Sequence, residues 1–298
     1  MQISAKIIQD SISPHDKRIT TFELEYPRFI HAEFMTHRQF SRNAASSRAI
    51  PISTMLEHVR NNPAMPVHWG ANQSGMQAKA EVEDIDAATR EWRIAAYVAV
   101  DSSEALAKTG LHKQIANRVT EPFQMMKTVC TATEWDNWFW LRYHTDAQPE
   151  IFELAKLMRE ALDSSTPTQI LQYEWHVPYV TRDRIHIGGD MCYLDNNGNT
   201  ITLEEALIIS ASCCAQVSYR KSDDTLDKAK AIYDRLINSS PVHASPVEHQ
   251  AKPMVSPYQP LGKYFEKGCT HFDKTHSAWS ANFKGWIQHR QLIPNQSA

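Results

Sequence analysis

The arginines between residues 28 and 48 form the part of the chain whose composition best suits the binding of an anion. This segment contains four arginines and one acidic residue, so it carries a net charge of +3 in a chain whose formal net charge is −3. An arginine side chain presents paired N–H donors that match a phosphate or the edge of a uracil ring. On a helix, His37 and Ser41 would share one face; in an extended segment, Ser46 and Arg48 would point the same way. The segment predicts a phosphate or uracil site, and the competing interpretation is a solvated helix end.

Glycine is scarce in this chain, and its scarcity excludes two common ways of binding a nucleotide. Only 9 of the 298 residues are glycine, about half of the roughly 7% found in average proteins. Neither G-x-G-x-x-G nor G-x-x-x-x-G-K-[ST] occurs, although Rossmann folds and P-loops use these glycines to wrap a phosphate in backbone. If the protein binds a nucleotide, we expect arginine side chains to hold the phosphate.

The composition and charge of the chain also argue against several other classes of protein. The net charge of −3 provides no basic surface for a stable nucleic-acid partner. The longest apolar run, Ile94 to Val100, is far shorter than the ~20 residues that span a bilayer. Residues 1–13 alternate polar and apolar residues and lack the hydrophobic region of a signal peptide, so we expect a cytoplasmic protein.

The histidines show no metal-ligand spacing, and the five cysteines form no C-x-x-C pair. We expect no metal site, and cysteines that are reduced.

Periodicity predicts the elements that must position the arginines. A strand is predicted over Ile19–Glu25, and strands are also expected between residues 170 and 200. Apolar residues at helical spacing predict helices at 29–41, 54–61, 81–108, 115–119, 125–141, 147–162, 204–215 and 225–237. Ser164–Pro167 is the best candidate boundary, and residues 241–268, with five prolines, are expected to be irregular.

The order H-R-x-x-S-x-N-x-x-S-x-R from His37 to Arg48 resembles the signature of the flavin-dependent thymidylate synthases, the ThyX family. The family motif runs R-H-R, then S, N-E, S and R at this spacing. Arg118 lies four residues before Pro122, as the family's arginine precedes Leu-Pro. Two further blocks match the family's hydrophobic-L-R and A-Q-x-E-I sequences: Asn137–Arg142 and Ala147–Ile151. The similarity covers roughly residues 16 to 165.

The resemblance implies a fold, a reaction and a set of site residues. The expected fold is α/β (α+β), with a mixed or antiparallel sheet and long helices. Family members use FAD, NADPH and 5,10-methylenetetrahydrofolate to convert dUMP to dTMP. By carry-over, Arg142 would be catalytic, on the pyrimidine ring. The residues implied to hold dUMP are Ser46, Ser47, Arg48, Arg118 and Arg142. Those implied to contact FAD are His37, Arg38, Ser41, Asn137, His249 and Arg290.

A second stretch resembles the family's beginning, but it lies in the wrong place along the chain. Ala215–Tyr219 and Ser245–His249 look like an A-R-V-S-Y … S-P-F-E-H sequence that normally precedes the R-H-R segment. We therefore expect two related halves, at residues 1–165 and 166–298. Either duplication with complementary loss or circular permutation would explain this order. His289 and Arg290 repeat the H-R-Q of His37 and Arg38, so they are either a vestigial copy or part of the site.

Departures from the family pattern leave the reaction open. Thr36 and Ala44 stand where the family has arginine and glutamate, and Thr131 and Thr133 stand at two flavin-contacting positions, so a rearranged cofactor site is expected. The preferred hypothesis is a homo-oligomeric (dimeric or tetrameric) thymidylate synthase-like enzyme. One alternative is a flavin- and folate-dependent dUMP hydroxymethylase that gives 5-hydroxymethyl-dUMP. Another is a noncatalytic nucleotide- or RNA-binding protein.

Overall fold

A five-stranded mixed sheet forms the centre of the protein. The structure is a computed structural model that describes residues 3–75, 77–184, 191–217, 225–258 and 265–297. The strands are β1 (Ser4–Ile12), β2 (Arg18–Pro27), β3 (Ser41–Ala44), β4 (Met125–Ala132) and β5 (Thr168–Gln169). They are ordered β3-β4-β2-β1-β5, and only β5 runs parallel to its neighbour. The expectations of an α/β protein with a mixed sheet and of a strand at Ile19–Glu25 are confirmed.

The two faces of this sheet are covered by different parts of the chain, because successive side chains of a strand point to opposite faces. Phe22 and Leu24 of β2 pack into a core with helices from the first 165 residues. Ile19, on the other face, packs against Phe283 and Trp286. The C-terminal part of the chain therefore covers the second face of the sheet.

Among the described residues of the first part of the chain, six α-helices accompany the sheet. They are α1 (His31–Phe34), α2 (Ile52–Asn61), α3 (Ile85–Lys108), α4 (Lys113–Ala116), α5 (Asp136–Arg142) and α6 (Pro149–Ser164). The predicted helices at 54–61, 81–108 and 147–162 are confirmed, and α3 begins where the Asp84 side chain accepts a hydrogen bond from the Ala87 N–H at 2.8 Å. No helix in the described ranges is both long and apolar enough to cross a membrane.

Three local predictions around the arginines are wrong. Residues 29–41 form a 3-10 turn (Arg28–Ile30) and the single turn of α1 before Ser41 enters β3, so His37 and Ser41 share no helix face. Residues 125–132 form β4, which pairs with both β2 and β3, because sheet pairing prevails over helix propensity there. Ser46 and Arg48 lie in a turn that the Ala49 N–H closes onto the Ser46 carbonyl at 2.9 Å.

The described residues of the C-terminal part form two α-helices and several small sheets. The predicted helices are confirmed as α7 (Leu203–Ala215) and α8 (Leu226–Leu236). The strands are β6 (Thr181–Arg184), β7 (Met191–Leu194), β8 (Thr200–Ile201), β9 (Ala251–Pro253), β10 (His271–Phe272), β11 (Ala278–Ser280), β12 (Phe283–Lys284) and β13 (Trp286–Gln288). They form sheets of two or three strands, with short 3-10 helices at Ser245–Glu248 and His289–Leu292.

The structure places β5 in the central sheet, although residues 168–169 follow the predicted boundary. Among the described residues, the C-terminal part forms no second five-stranded sheet. Residues 218 and 219 of the A-Q-V-S-Y resemblance lie outside the described residues. Division into halves at 1–165 and 166–298, by duplication or permutation, stays a prediction.

Candidate active site

Arg142 is the last residue of α5, and its guanidinium is held at two nitrogens. Its Nε–H donates to Nε2 of His37 at 2.9 Å, and Nη1 pairs with Oε1 of Glu33 at 2.7 Å. The side chain is 19% exposed. Across the described ranges, Nη2 donates to no protein atom. Two contacts thus orient the guanidinium, and it keeps N–H donors for a ligand.

His37 can accept this hydrogen bond because it is neutral. Burial, together with the guanidinium groups of Arg142 and Arg42, lowers the pKa of His37 to about 4. Its ring packs edge-on against Trp138, with 4.7 Å between ring centroids, and Trp138 is fully buried. A charged imidazole has no acceptor, so the contact with Arg142 requires the neutral ring.

Arg42 holds the loop that carries His37. Its Nη1 donates to the carbonyl oxygens of Phe34, Met35 and His37, at 3.3, 3.0 and 2.9 Å. These carbonyls follow the end of α1, where backbone acceptors have no helical partner. We call Glu33, His37, Arg42 and Arg142 the Arg142 cluster. Arg42 is on β3, so the cluster joins the sheet edge, α1 and α5.

A turn at residues 46–50, which we call the Arg48 turn, is held by hydrogen bonds from the buried side chain of Asn117. Asn117 is fully buried, and its Nδ2 donates to the carbonyls of Ser47 and Ile50, at 2.8 and 3.1 Å. The next residue is Arg118, in the 3-10 helix Asn117–Phe123. Asn117 therefore ties the turn with Arg48 to the segment with Arg118, which brings the residues predicted to hold the phosphate into one region.

The arginines around the Arg48 turn differ from Arg142 in their exposure and pairing. Arg48 is exposed, and its guanidinium pairs with no acidic group in the part of the chain that the structure describes. Arg118 is 3.6 Å from Glu121, but that carboxylate also pairs with Arg28 at 2.8 Å. The region is therefore cationic and open to solvent, as a phosphate site requires.

A cavity of about 460 Å³ lies beside the Arg48 turn, but its lining does not suit a phosphate. Ala45, Ile50 and Phe123 line it, together with the acidic residues Glu25 and Glu57. None of the residues predicted to bind dUMP is among its lining residues. Carboxylates repel a phosphate dianion, so the exposed arginines are the better anion site.

Ser41 and Asn137 lie in opposite environments. Ser41 is buried, and its hydroxyl accepts hydrogen bonds from Nε2 of Gln288 at 3.0 Å and Nδ2 of Asn282 at 3.1 Å. It therefore faces the C-terminal part. Asn137 is exposed on α5, and its amide makes no hydrogen bond to a described residue. Only Asn137 of these two is open to a ligand.

His249 is completely buried at the junction with the central sheet. Its Nδ1 is 2.8 Å from the Thr131 hydroxyl, which is 2.7 Å from the Thr21 hydroxyl. Thr21 in turn contacts Nε2 of His176 at 2.8 Å. His176 Nδ1 contacts the Ser11 hydroxyl at 2.8 Å. This polar chain crosses three strands, and burial lowers the pKa of His249 to about 3. Its Nε2 is buried without a hydrogen-bond partner among the described residues.

The second H-R-Q segment also points inward. Arg290 forms an ion pair with Glu248, and its Nε donates to the Gln296 side chain at 2.8 Å. His289 is buried and its backbone N–H donates to the Gln250 carbonyl at 2.9 Å. The segment lies in the 3-10 helix His289–Leu292, which follows β13, whereas His37 lies in a loop after α1. The two H-R-Q segments therefore have different local structures.

The family profile described as "Thymidylate synthase complementing protein" matches residues 7–168, which is more than half of the chain. The chain belongs to this family. Crystal structures of a UMP/dUMP methylase PolB from Streptomyces cacaoi are similar to it. The structure bound with 5-Br dUMP has 17% identity and a TM-score of 0.45, covering 54% of this chain and 90% of that one. The structure bound with 5-Br UMP has 18% identity and a TM-score of 0.45, covering 54% and 88%. No curated protein matches this chain.

The match to the thymidylate synthase complementing family includes both the Arg142 cluster and the Arg48 turn. It ends at Thr168, in β5, the last strand of the central sheet. It includes neither His249 nor Arg290. The family assignment therefore applies to the central sheet and its helices.

Three residues that position the site of this family member were missed in the sequence. Glu33 has one local signal, since it is the single acid among the arginines of residues 28–48. Arg42 falls between motif positions, and Asn117 is adjacent to a motif arginine. Their contacts are with backbone carbonyls or with a side chain more than 100 residues away, and no spacing rule detects such contacts.

The residues implied to contact FAD fit that cofactor unequally. Arg38 and Asn137 are exposed and have no internal partner among the described residues. His249 and Ser41 lie inside the junction with the C-terminal part, and Arg290 is occupied by Glu248. Arg38 and Asn137 are open to a cofactor, whereas Ser41 and Arg290 are occupied by protein partners. His249 keeps one buried ring nitrogen, Nε2, without a partner among the described residues, so its contact with FAD stays a prediction. Within the described residues, no group of three or more His, Cys, Asp or Glu side chains is placed to hold a metal ion.

Proposed function

We propose that this protein is an enzyme that adds a one-carbon unit to C5 of dUMP. The observation that carries the proposal is the orientation of Arg142 by Glu33 and His37, with Nη2 left for a ligand. A guanidinium held in this way is suited to a pyrimidine carbonyl, where negative charge develops as C5 forms a new bond. Because the guanidinium is already oriented, little reorganisation is needed when that charge develops.

The phosphate of dUMP would bind the arginines of the Arg48 turn, with Arg48 and Arg118 as its main ligands. Ser46 and Ser47 lie in the same turn and would add hydroxyl donors. The charge of this region supports the assignment, since Arg48 is exposed and pairs with no acid in the described residues, and Arg118 is 3.6 Å from its one acidic neighbour, Glu121. We propose Arg38 and Asn137 as ligands for FAD. When bound, FAD would supply the carrier of the one-carbon unit, with NADPH as reductant and 5,10-methylenetetrahydrofolate as its source.

The product distinguishes the proposed thymidylate synthase from a hydroxymethylase. The resemblance implies glutamate at position 44, where this chain has alanine and therefore no carboxylate. Ala44 is partly buried and packs against the apolar core. The absence of this carboxylate is compatible with a second candidate reaction, in which water captures the transferred carbon and the product is 5-hydroxymethyl-dUMP.

The assay uses the full chain with FAD, NADPH, methylenetetrahydrofolate and dUMP tritiated at C5. Release of tritium would report attack at C5, and the mass of the product would separate dTMP from 5-hydroxymethyl-dUMP. Binding of dUMP without tritium release, by a protein that cannot take up FAD, would instead support a noncatalytic nucleotide-binding protein. The R142A variant is the control for the proposed site.

We also propose that the protein is a homo-oligomer and that α3 forms its interface. Ile94, Tyr97 and Val98 are 51, 44 and 58% exposed and lie on one side of this helix. The opposite side, with Ala96 and Val100, is buried. An exposed apolar stripe of this kind is typical of a protein contact surface. Light scattering should show a dimer or tetramer, and an I94E/V98E variant should be a monomer.

A further inference from the structure

We infer that Glu33 is a positioning residue that holds Arg142 in the orientation needed to contact the pyrimidine ring. This inference rests on the proposed function. Glu33 lies on α1 and reaches across to α5, where its Oε1 is 2.7 Å from Nη1 of Arg142. No position implied by the motif includes it.

The geometry of the pair explains how Glu33 would act. Arg142 is the final residue of α5, so its side chain extends beyond the helix and needs tertiary contacts to hold it. The neutral His37 ring binds Nε, and Glu33 binds Nη1. Two hydrogen bonds on different nitrogens fix the plane of a guanidinium. With a single hydrogen bond, the guanidinium can rotate about that bond. Removal of Glu33 would leave Arg142 with a single neutral partner.

The backbone of Glu33 is itself fixed, so its carboxylate has a defined position. The Thr36 hydroxyl donates to the Glu33 carbonyl at 2.7 Å, and the Thr36 N–H donates to the same oxygen at 3.0 Å. Arg42 restrains the following residues through their carbonyls. Thr36, where the resemblance implies arginine, therefore closes the turn that carries Glu33.

The charge of the pair also favours a ring carbonyl over a phosphate. Glu33 offsets the positive charge of Arg142, and His37 is neutral, while the Arg42 guanidinium keeps its charge but is occupied by backbone carbonyls. A paired guanidinium still donates hydrogen bonds, but it attracts a dianion less than a free one. We therefore assign the uncharged uracil edge to Arg142 and the phosphate to the Arg48 turn.

The test compares E33Q, E33D and E33A with D163N. Asp163 forms an exposed ion pair with Arg159 at 2.8 Å on α6, and within the described residues it makes no hydrogen bond or ion pair to the Arg142 cluster, so D163N is a matched control for loss of a carboxylate. We expect E33Q to lower kcat by on the order of tenfold to a hundredfold, because small displacements of a catalytic group have effects of that size. KM for dUMP should change less than about threefold, since the arginines of the Arg48 turn are intact. E33D should restore part of kcat, and D163N should match the wild type.

A second readout does not depend on activity. Rotation of the Arg142 Nη1 group about its bond to Cζ, followed by nitrogen-15 NMR, should be slow in the wild type and in D163N and fast in E33Q and E33A, because Glu33 binds Nη1. Wild-type kcat in E33Q, or unchanged Nη1 rotation, would overturn the inference. If the wild type neither binds nor converts dUMP, the proposed function fails, and the rotation measurement still decides whether Glu33 positions Arg142.

Discussion

The Arg142 cluster and the Arg48 turn contain the same kind of side chain in opposite surroundings. Arg142 is 19% exposed and is paired with a carboxylate, whereas Arg48 is exposed and pairs with no acid in the described ranges. The Arg142 guanidinium has a fixed orientation, and Glu33 offsets its charge. The Arg48 guanidinium keeps its charge and can change its orientation. The partners of an arginine thus decide whether it offers an oriented hydrogen-bond donor, as Arg142 does, or an unpaired charge, as Arg48 does.

The largest expected effect is that of R142A. If Arg142 stabilises charge on the pyrimidine, kcat should fall by on the order of 10³, as when a preorganised donor is removed from another active site. R142K should recover little, because an ammonium lacks the planar fork that Glu33 and His37 orient. Tritium release measures the loss, and thermal unfolding checks that the fold is intact. Retention of more than about a tenth of kcat in R142A would contradict the assigned role.

The R48A variant should affect binding and leave chemistry nearly unchanged. Loss of one charge-assisted contact to phosphate, at about 1.5–3 kcal/mol, corresponds to an increase of roughly 10- to 100-fold in KM for dUMP. R118A should raise KM for dUMP by a smaller factor, since the carboxylate of Glu121 lies 3.6 Å from the Arg118 guanidinium and offsets part of its charge. Deoxyuridine, which has no phosphate, is the control ligand. An equal loss of affinity for dUMP and for deoxyuridine would break the proposed division between the two regions.

The N117A variant should weaken the support of the Arg48 turn. It leaves one buried and one partly buried backbone carbonyl without their Asn117 donor, so the free energy of unfolding should fall by about 1–3 kcal/mol. Urea denaturation measures this change, and KM for dUMP should rise while kcat is largely retained. N137A is the matched control for stability, because the Asn137 amide makes no hydrogen bond to a described residue. Equal unfolding free energies in N117A and the wild type would show that the turn is held by other contacts.

The smallest effect at neutral pH is expected from His37, and it grows in acid. The pKa of His37 is lowered to about 4 in the folded protein, against an ordinary value of about 6.5 in the unfolded chain. The unfolded state therefore binds more protons between these values, and the free energy of unfolding should fall as pH falls from 6.5 to 4. H37Q, which keeps an acceptor for Arg142, should show a shallower fall. R48A should keep the wild-type slope, and equal slopes in wild type and H37Q would contradict the assignment.

The local sequence predicted long helices well and the surroundings of the arginines poorly. The helix at Ile85–Lys108 is an amphipathic segment with its own cap, Asp84, and such signals lie within a few residues. Residues 125–132 have apolar positions compatible with either helix or strand, and only pairing with β2 on one side and β3 on the other selects the strand. His249 was predicted to contact FAD. In the structure its Nδ1 lies 2.8 Å from the hydroxyl of Thr131, which is 118 positions away along the chain.

The sequence by itself determined the residue types of the site, the scarcity of glycine that leaves phosphate binding to side chains, and the motif order that the family match supports. Only the tertiary structure decided which arginine is paired and which is free. A carboxylate such as Glu33 acts on whatever charge lies within a few ångströms, and its neighbour, Arg142, is 109 residues away along the chain. Electrostatic surroundings depend on distance in space, and chain order does not specify that distance before the sheet and α5 are packed.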